Sequence, residues 1–494
     1  MSESVVIAGA GPVGLLLAYE LGLAGVEAVV VDDNPQPRAD APGVALNSAV
    51  VELLSQRPLM DLLEDDGFGF PQAHFANLWL DPARLTDPHP FTFTAVQSTV
   101  ERRLAEAATK LGARIRRGAP VVGFDGDEVH LGDGARLPYR YLVGCDGADS
   151  TVRRLAGIGF PGADHPFDGI TGDIEIAPGD PLAELVGAGF HPGGLFTLAP
   201  TGPEILALAD PDEPPDGPVV LRVIAGAFGA DPPDPQAPPT VEELHALAVR
   251  VLGRPVTFGP VRWLARWRHR SRQAAEYRRG NVFLAGDAAH VQFPLGGLAL
   301  STGLEDAVNL GWKLAAAVTG RAPAGLLDTY HAERHPVGAR VLLATEAQTH
   351  LMHPSSRIGP LRQILTELIG IAGVNEYFVR LAGGLDSRYP VFGDDPHPLL
   401  GRRLPDYRVR TPTGPTGVAA LLHEGRGLLL HIGDGPAPDI SGWSDRVGTI
   451  TVSAAEAFQA ASVLLVRPDG RIAFAAADAV GLDDALRTWF GPAV

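Results

Sequence analysis

Several short stretches of this chain carry residue types able to hold a phosphate-bearing cofactor. Gly9-x-Gly11-x-x-Gly14 follows the apolar run Val5-Val6-Ile7 and, with Pro12 and Val13 inside the turn, opens an apolar segment of helical character. Glycines at this spacing permit a tight strand-to-helix turn, close approach of backbone to a pyrophosphate and close helix–strand packing. Asp32 ends a second apolar run, at the distance where a carboxylate accepts hydrogen bonds from ribose hydroxyls. Far along the chain, Leu284-Ala285 runs into Gly286-Asp287, and the chain then loops through Pro294, Gly296 and Gly297. Such a loop presents one carboxylate and several N–H groups at a helix N-terminus, a setting suited to an anionic cofactor. The glycine pattern alone does not separate FAD from NAD.

The elements that must position these residues are readable from periodicity. Ser4 to Ala8, Leu15 to Leu23 and Ala28 to Val31 form a strand–helix–strand unit. A helix from about Thr99 to Leu111 and a strand at Tyr141 to Val143 follow. From about Ile170 to Leu264 short strands alternate with turns, including the Pro/Asp-rich loops Asp210 to Pro218 and Asp231 to Pro239. Thr240 and Glu243 make a capping box for a helix to about Val251. Helical sequence resumes at Leu304 and continues to about Leu381. Beyond Gly383-Gly384 and Asp394-Asp395-Pro396, strands are expected at Gly427 to Ile432 and Ala461 to Val466, then a Pro468-Asp469-Gly470 hairpin and a helix from Leu482 to Trp489.

Composition narrows the classes. The 494 residues carry a formal charge of -18, which argues against nonspecific binding to nucleic acid or anionic membrane. Mean hydropathy is +0.08, and no run approaches the ~18 apolar residues of a membrane helix. Val5-Val6-Ile7 begins a strand almost at once, without a cationic leader, so the cytoplasm is the expected compartment. Cys145 is the only cysteine, which removes intrachain disulfides, CxxC redox pairs and cysteine-rich metal sites. His331 and His335 share a helical spacing, but no third ligand is evident and Pro336 interrupts, so no metal is expected. His290 is read as ordering its own loop, and Trp263 and Trp267 as packing. Phe75, Trp79, Phe91, Phe93, Phe190 and Phe196 could line an apolar pocket, with core packing the commoner role for each.

The motif set resembles the class A, aromatic-hydroxylase-like FAD-dependent monooxygenases. Gly286-Asp287 resembles that family's Gly-Asp motif, whose carboxylate holds the ribityl chain of FAD. Asp146-Gly147-Ala148-Asp149-Ser150, with Val152-Arg153, resembles its Asp-Gly motif, and Gln97, ahead of Glu101 and Leu104, its flavin-contacting glutamine. The resemblance implies an α/β protein: a Rossmann-like FAD-binding domain in two parts (1–169 and 271–384), an inserted α+β substrate domain (170–270) and a thioredoxin-like C-terminal domain (390–494). Residues 68–95, rich in Phe, Trp and His, belong either to the first part or to the middle domain. No second glycine fingerprint exists, and the resemblance implies that NADPH or NADH docks transiently. The implied chemistry is reduction of FAD, reaction with O₂ and oxygen transfer to a bulky, apolar, polyketide-like molecule. No catalytic acid or base is assigned, and contacts between copies of the chain are left open.

Four departures bear on that chemistry. The family's Arg after the second strand falls at Pro42 by spacing, and a second Arg at Ala49. Asp33 stands where a basic residue often sits. Above all, the family's Gly-Gly-Gln-Gly-x-Asn becomes Gly296-Gly297-Leu298-Ala299-Leu300-Ser301. The cofactor contacts are kept while groups expected near the flavin ring are lost. The alternative to a monooxygenase is therefore a redox-neutral, decalin-forming [4+2] (Diels-Alder type) cyclase with structural FAD, as some cyclases of spirotetronate and spirotetramate pathways resemble this family.

Overall fold

The computed structural model describes residues 5–38, 43, 45–177, 179–191, 193–201, 217–230, 234, 237–390, 397–433, 435–453, 458–459 and 461–494. Its first sheet is built on Val5–Ala8, whose four residues are all buried, as a parallel strand covered on both faces requires. The strand order is Arg278–Arg279, Val282–Leu284, Tyr141–Gly144, Val5–Ala8, Ala28–Val31, Arg114–Arg116. Val5 pairs in parallel with Tyr141 on one side and Ala28 on the other, so the chain reverses its winding at this strand. In such sheets ligands bind at the carboxyl ends beside that switch point, which is where Gly9 and Cys145-Asp146 follow their strands. Helix Pro12–Leu23 leaves the glycine turn and packs against helix Leu298–Val318.

A second, antiparallel sheet follows the order Gly187–His191, Gly194–Pro200, Val219–Phe228, Gly162–Ile176, Val261–Gln273, His290–Val291. The last strand comes directly after the Gly286-Asp287 turn and pairs Val291 with Arg272 and His290 with Gln273. The turn is thereby stitched to the middle sheet, a tie invisible in sequence. The expected domain boundaries at 169/170 and 270/271 fall inside the continuous strands Gly162–Ile176 and Val261–Gln273. The capping box forms: Thr240 accepts from the Glu243 N–H, Glu243 reaches back, and helix Val241–Leu252 lays Leu244, Leu247, Ala248 and Val251 on the middle sheet. Within 68–95, Thr92–Thr94 is the middle strand between Phe68–Phe70 and Ala45–Leu46, while the hairpin Ala73–Phe75/Leu78–Leu80 packs with Phe167, Leu195 and Phe293.

Four helices follow: Leu298–Val318, Asp328–Met352, Gly359–Ile369 and Ala372–Ala382. The first starts six residues before the expected Leu304, because Gly297, at φ 71°, turns the chain into the helix immediately after the glycine pair. Pro336, expected to interrupt, lies inside an unbroken helix. Packing of that helix on its neighbours outweighs the ~3 kcal/mol that an interior proline costs. The C-terminal unit has the sheet order Val447–Val452, Gly427–Ile432, Val463–Val466, Ile472–Ala476, with one parallel pair, an antiparallel hairpin through Pro468-Asp469-Gly470, and helix Leu482–Phe490. That arrangement matches the thioredoxin-like order expected. Among the described residues, no helix is long and apolar enough to cross a membrane.

Candidate active site

A single cavity of about 1130 Å³ runs from the carboxyl ends of the first sheet to the middle sheet. It exceeds the ~300–1,000 Å³ of an ordinary small-molecule site, which leaves room for a dinucleotide and a second molecule. Gly9, Gly11, Pro12, Val13, Asp32, Gln97, Asp146, Gly147, Asp287, Pro294, Gly296 and Gly297 all line it. Gly14 and Gly286 do not, and they serve backbone approach instead. A Cβ at Gly14 would lie 2.0 Å from the Gly9 carbonyl oxygen, and one at Gly286, itself at φ 62°, 2.9 Å from Val13 Cγ2.

Two helix N-termini open on this cavity without a side-chain cap: Gly11 ahead of Pro12–Leu23, and Gly297 ahead of Leu298–Val318. Their N–H groups and helix dipoles suit phosphate and other anionic groups. Asp32 accepts hydrogen bonds from the Ala10 N–H at 2.6 Å and the Asn34 N–H at 2.9 Å, so the acid also braces the glycine turn. Asp287 faces the cavity and makes no hydrogen bond among the described residues; crowding by protein pushes its pKa up, opposed by His290. An acceptor left without a partner in a polar cavity is what hydroxyls of a ribityl chain would satisfy. The donor and acceptor set therefore fits FAD.

Two predicted residues have their side-chain polar groups engaged within the chain. The Gln97 amide accepts from Gly43 N–H at 3.2 Å and donates to Glu101 at 2.8 Å. The Asp146 carboxylate accepts from the Ser150 hydroxyl and from the Thr151 and Val152 N–H groups at 2.7 and 3.0 Å, capping helix Thr151–Leu155. What this loop offers the cavity is its backbone around Gly147.

The Gly286-Asp287 turn is held from beneath by residues that motif reading passed over. Asp306, fully buried on helix Leu298–Val318, accepts from Gly286 N–H at 3.1 Å, His290 Nε2 at 2.7 Å and Arg334 Nε at 2.7 Å. His290 thus orders its loop, as expected. Burial pushes the Asp306 carboxyl up, but Arg334 and His290 outweigh that and hold it below the usual range. Arg334 also donates to Glu305, which Arg403 joins from the C-terminal unit. Beside it, Glu333 binds Lys313 at 2.7 Å and Arg467 at 2.6 Å, and Arg467 pairs with Asp469 of the hairpin. The signal for these groups was charge on an otherwise apolar helix (Glu305, Asp306, Lys313), where an unpaired ion is too costly to bury.

At the middle-sheet end the wall is apolar and aromatic. Phe70, Trp79 and Phe91 line it, as do Leu198, Ile224 and Trp267. Trp267, read from sequence as packing, both packs against Phe167 in a tilted ring contact and faces the cavity, whereas Trp263 donates to Asp173 at 2.8 Å. Phe75, Phe93 and Phe196 are buried core, and the Phe190 side chain lies outside the described residues, as does Pro42. Ala49 is buried in helix Ser48–Ser55, and Asp33 lines the cavity. Three polar groups here lack hydrogen-bond partners among the described residues: the amide of buried Gln292 at both atoms, the Trp267 Nε1–H and His74 Nδ1. Burial pushes the His74 pKa down to about 4, so its ring is neutral near neutral pH. Leu298, Ala299 and Leu300 line the cavity at the departure from the family motif, and the Ser301 hydroxyl accepts from Asn47 N–H at 3.1 Å.

This architecture has well-characterised relations. Residues 2–345 match the family model described as the FAD binding domain, and 397–493 that of the aromatic-ring hydroxylase C-terminal domain. The chain is 47% identical to the dialkyldecalin synthase of Streptomyces rugosporus, over 100% of both chains. It is 40% identical to the 12-dehydrotetracycline 5-monooxygenase/anhydrotetracycline 6-monooxygenase of Streptomyces rimosus, over 100% of this chain and 99% of that one. Among solved structures, the Diels-Alderase PyrE3 of the pyrroindomycin biosynthetic pathway superposes with a TM-score of 0.89 at 45% identity, covering 100% of both chains. The chain belongs to the FAD-binding aromatic-ring hydroxylase family of enzymes.

Proposed function

We propose that the protein is a redox-neutral cyclase that folds a polyene chain, of polyketide type, and closes a decalin by [4+2] cycloaddition, with FAD bound as part of the cavity wall. The carrying observation is the stretch from Pro294 to Ser301. Leu298 and Ser301 stand where the family carries its Gln and Asn carboxamides: Leu298 presents an apolar side chain to the cavity beside Ala299 and Leu300, and the Ser301 hydroxyl is already engaged by Asn47. Such a reaction forms two carbon–carbon bonds from π electrons already in the substrate and needs no oxidant. What the protein supplies is a shaped cavity that holds diene and dienophile in a reactive arrangement. Gln292 is placed to donate to a carbonyl conjugated with the dienophile, and Trp267, Trp79 and Phe91 to pack against the polyene. The names of the decalin synthase and the Diels-Alderase support this reading.

In this proposal Gly9, Gly11, Pro12, Val13 and Gly14 hold the pyrophosphate turn, with Asp32 at the ribose. Gln97, Asp146 and Gly147 border the flavin, and Gly286, Asp287, Pro294, Gly296 and Gly297 hold the ribityl chain and pyrimidine edge. A second reading, oxygen insertion into a bulky polyketide, is favoured by the tetracycline monooxygenase match along the whole chain. It requires NADPH or NADH and a flavin that cycles. Cytoplasmic residence suits either.

The two are separated by incubating FAD-loaded protein anaerobically, without nicotinamide, with linear polyene substrates carrying an activated alkene. Conversion to an isomer of equal mass, with the flavin spectrum unchanged, is expected. Substrate-stimulated NAD(P)H oxidation with a product one oxygen heavier would establish the monooxygenase and end the cyclase proposal.

A further inference from the structure

We propose that His165, His269 and Glu346, brought together on the side of the middle sheet that faces the long helix, form a divalent transition-metal site of the zinc type. His165 and His269 are direct cross-strand partners of Gly162–Ile176 and Val261–Gln273, and their ring centres lie 4.5 Å apart. Glu346 reaches them from helix Asp328–Met352. One carboxylate oxygen, Glu346 Oε1, lies 3.5 Å from His165 Nε2 and 3.3 Å from His269 Nε2, and the three ligand atoms all fall within 4.8 Å of one another.

Orientation sets this group apart from a hydrogen-bonded one. His269 is 4% exposed, yet among the described residues neither its Nε2 nor Glu346 Oε1 makes a hydrogen bond of good geometry. Two metal–ligand bonds of about 2.1 Å at the tetrahedral angle place their donor atoms ~3.4 Å apart, close to both observed separations. Two imidazoles and a carboxylate make a three-ligand set that leaves a fourth position open. His165 is half-exposed, so solvent and a metal ion have a path in.

The consequence is mechanical. The His269 ring packs edge-on against Phe293 at 4.9 Å, directly before the Pro294 loop, and Trp267, two residues back on the same strand, faces the cavity. A metal here would rivet the long helix to the sheet that floors the cavity, without entering it.

The test uses tag-free, FAD-loaded protein, treated with chelator, dialysed and titrated with ZnCl₂ by calorimetry. One equivalent should bind, and zinc should raise Tm by a few degrees. His165→Ala, at an exposed position, and Glu346→Gln should each weaken binding at least tenfold and abolish the Tm rise while leaving flavin content and circular dichroism unchanged. A His331→Ala/His335→Ala double variant should bind zinc as the parent does. The site is refuted if no saturable one-equivalent binding appears, if binding survives His165→Ala and Glu346→Gln, or if only the double variant loses it.

Discussion

Asp306→Asn tests the claim that a buried carboxylate, outside every motif, holds the cofactor turn in place. Asp306 accepts from Gly286, His290 and Arg334, and both it and Arg334 are fully buried. Removing one partner of a buried ion pair costs about 3–5 kcal/mol. Asparagine keeps the shape and one acceptor oxygen, but turns an NH₂ group toward donors, so the low end, ~3 kcal/mol, is expected. For a 494-residue chain, ~2.1 cal/mol/K per residue gives an unfolding entropy near 1 kcal/mol/K, and the loss becomes a Tm decrease of roughly 3 °C. Freed from its anchor on Gly286, the turn carrying Asp287 should also release FAD faster. Thermal unfolding by circular dichroism and flavin fluorescence after dilution read both effects. A Tm within 1 °C of the parent, with unchanged flavin release, would refute the reasoning.

Three further outcomes are expected. Asp287→Ala should purify folded but largely without flavin, judged by the absorbance ratio of flavin to protein; full occupancy would remove Asp287 from the proposed site. Gln292→Leu should keep FAD yet lower turnover of a carbonyl-activated polyene about ten-fold or more, since a hydrogen bond in a dry site contributes ~1.4 kcal/mol or more; unchanged rates would discard its role. On acidification, stability should fall in two windows. His74, held near pKa 4 by burial, stays neutral while the unfolded chain takes up a proton, so stability declines as pH drops below about 6.5. Glu305 and Asp306 are buried, but their arginine partners hold them below the usual range, so their contribution is present above the unfolded carboxylate pKa near 4 and is lost as pH falls through the folded values. Denaturation profiles against pH should show the lower window shrink in Asp306→Asn.

Much of this protein is legible in its sequence, because the elements proposed to hold the cofactor are local. A strand, a Gly9–Gly14 turn and a helix are dictated by backbone sterics within a dozen residues, and Asp32 follows at a distance the unit itself imposes. The Thr240 cap and the Pro468-Asp469-Gly470 hairpin are equally local and form as read. Where reading failed, the reasons differ. Helix Leu298–Val318 begins early because Gly297 turns the chain straight into it, and helix Asp328–Met352 passes through Pro336 because packing overrides local propensity.

Tertiary structure alone decided what surrounds the cofactor loops. Arg334 joins Asp306 and Glu305, Glu305 meets C-terminal Arg403, and Glu333 meets Arg467, itself paired with Asp469; these partners lie far apart in sequence, and burial forces them to pair. His165 and His269 face each other only because strand register makes them partners, and Glu346 reaches them only because its helix lies across that sheet. Sequence determined that a dinucleotide turn exists and that Leu298, Ala299 and Ser301 replace the family's groups. Only the folded chain showed that Leu298 and Ala299 form the cavity wall while Ser301 turns to Asn47, since a cavity is made by elements distant in the chain.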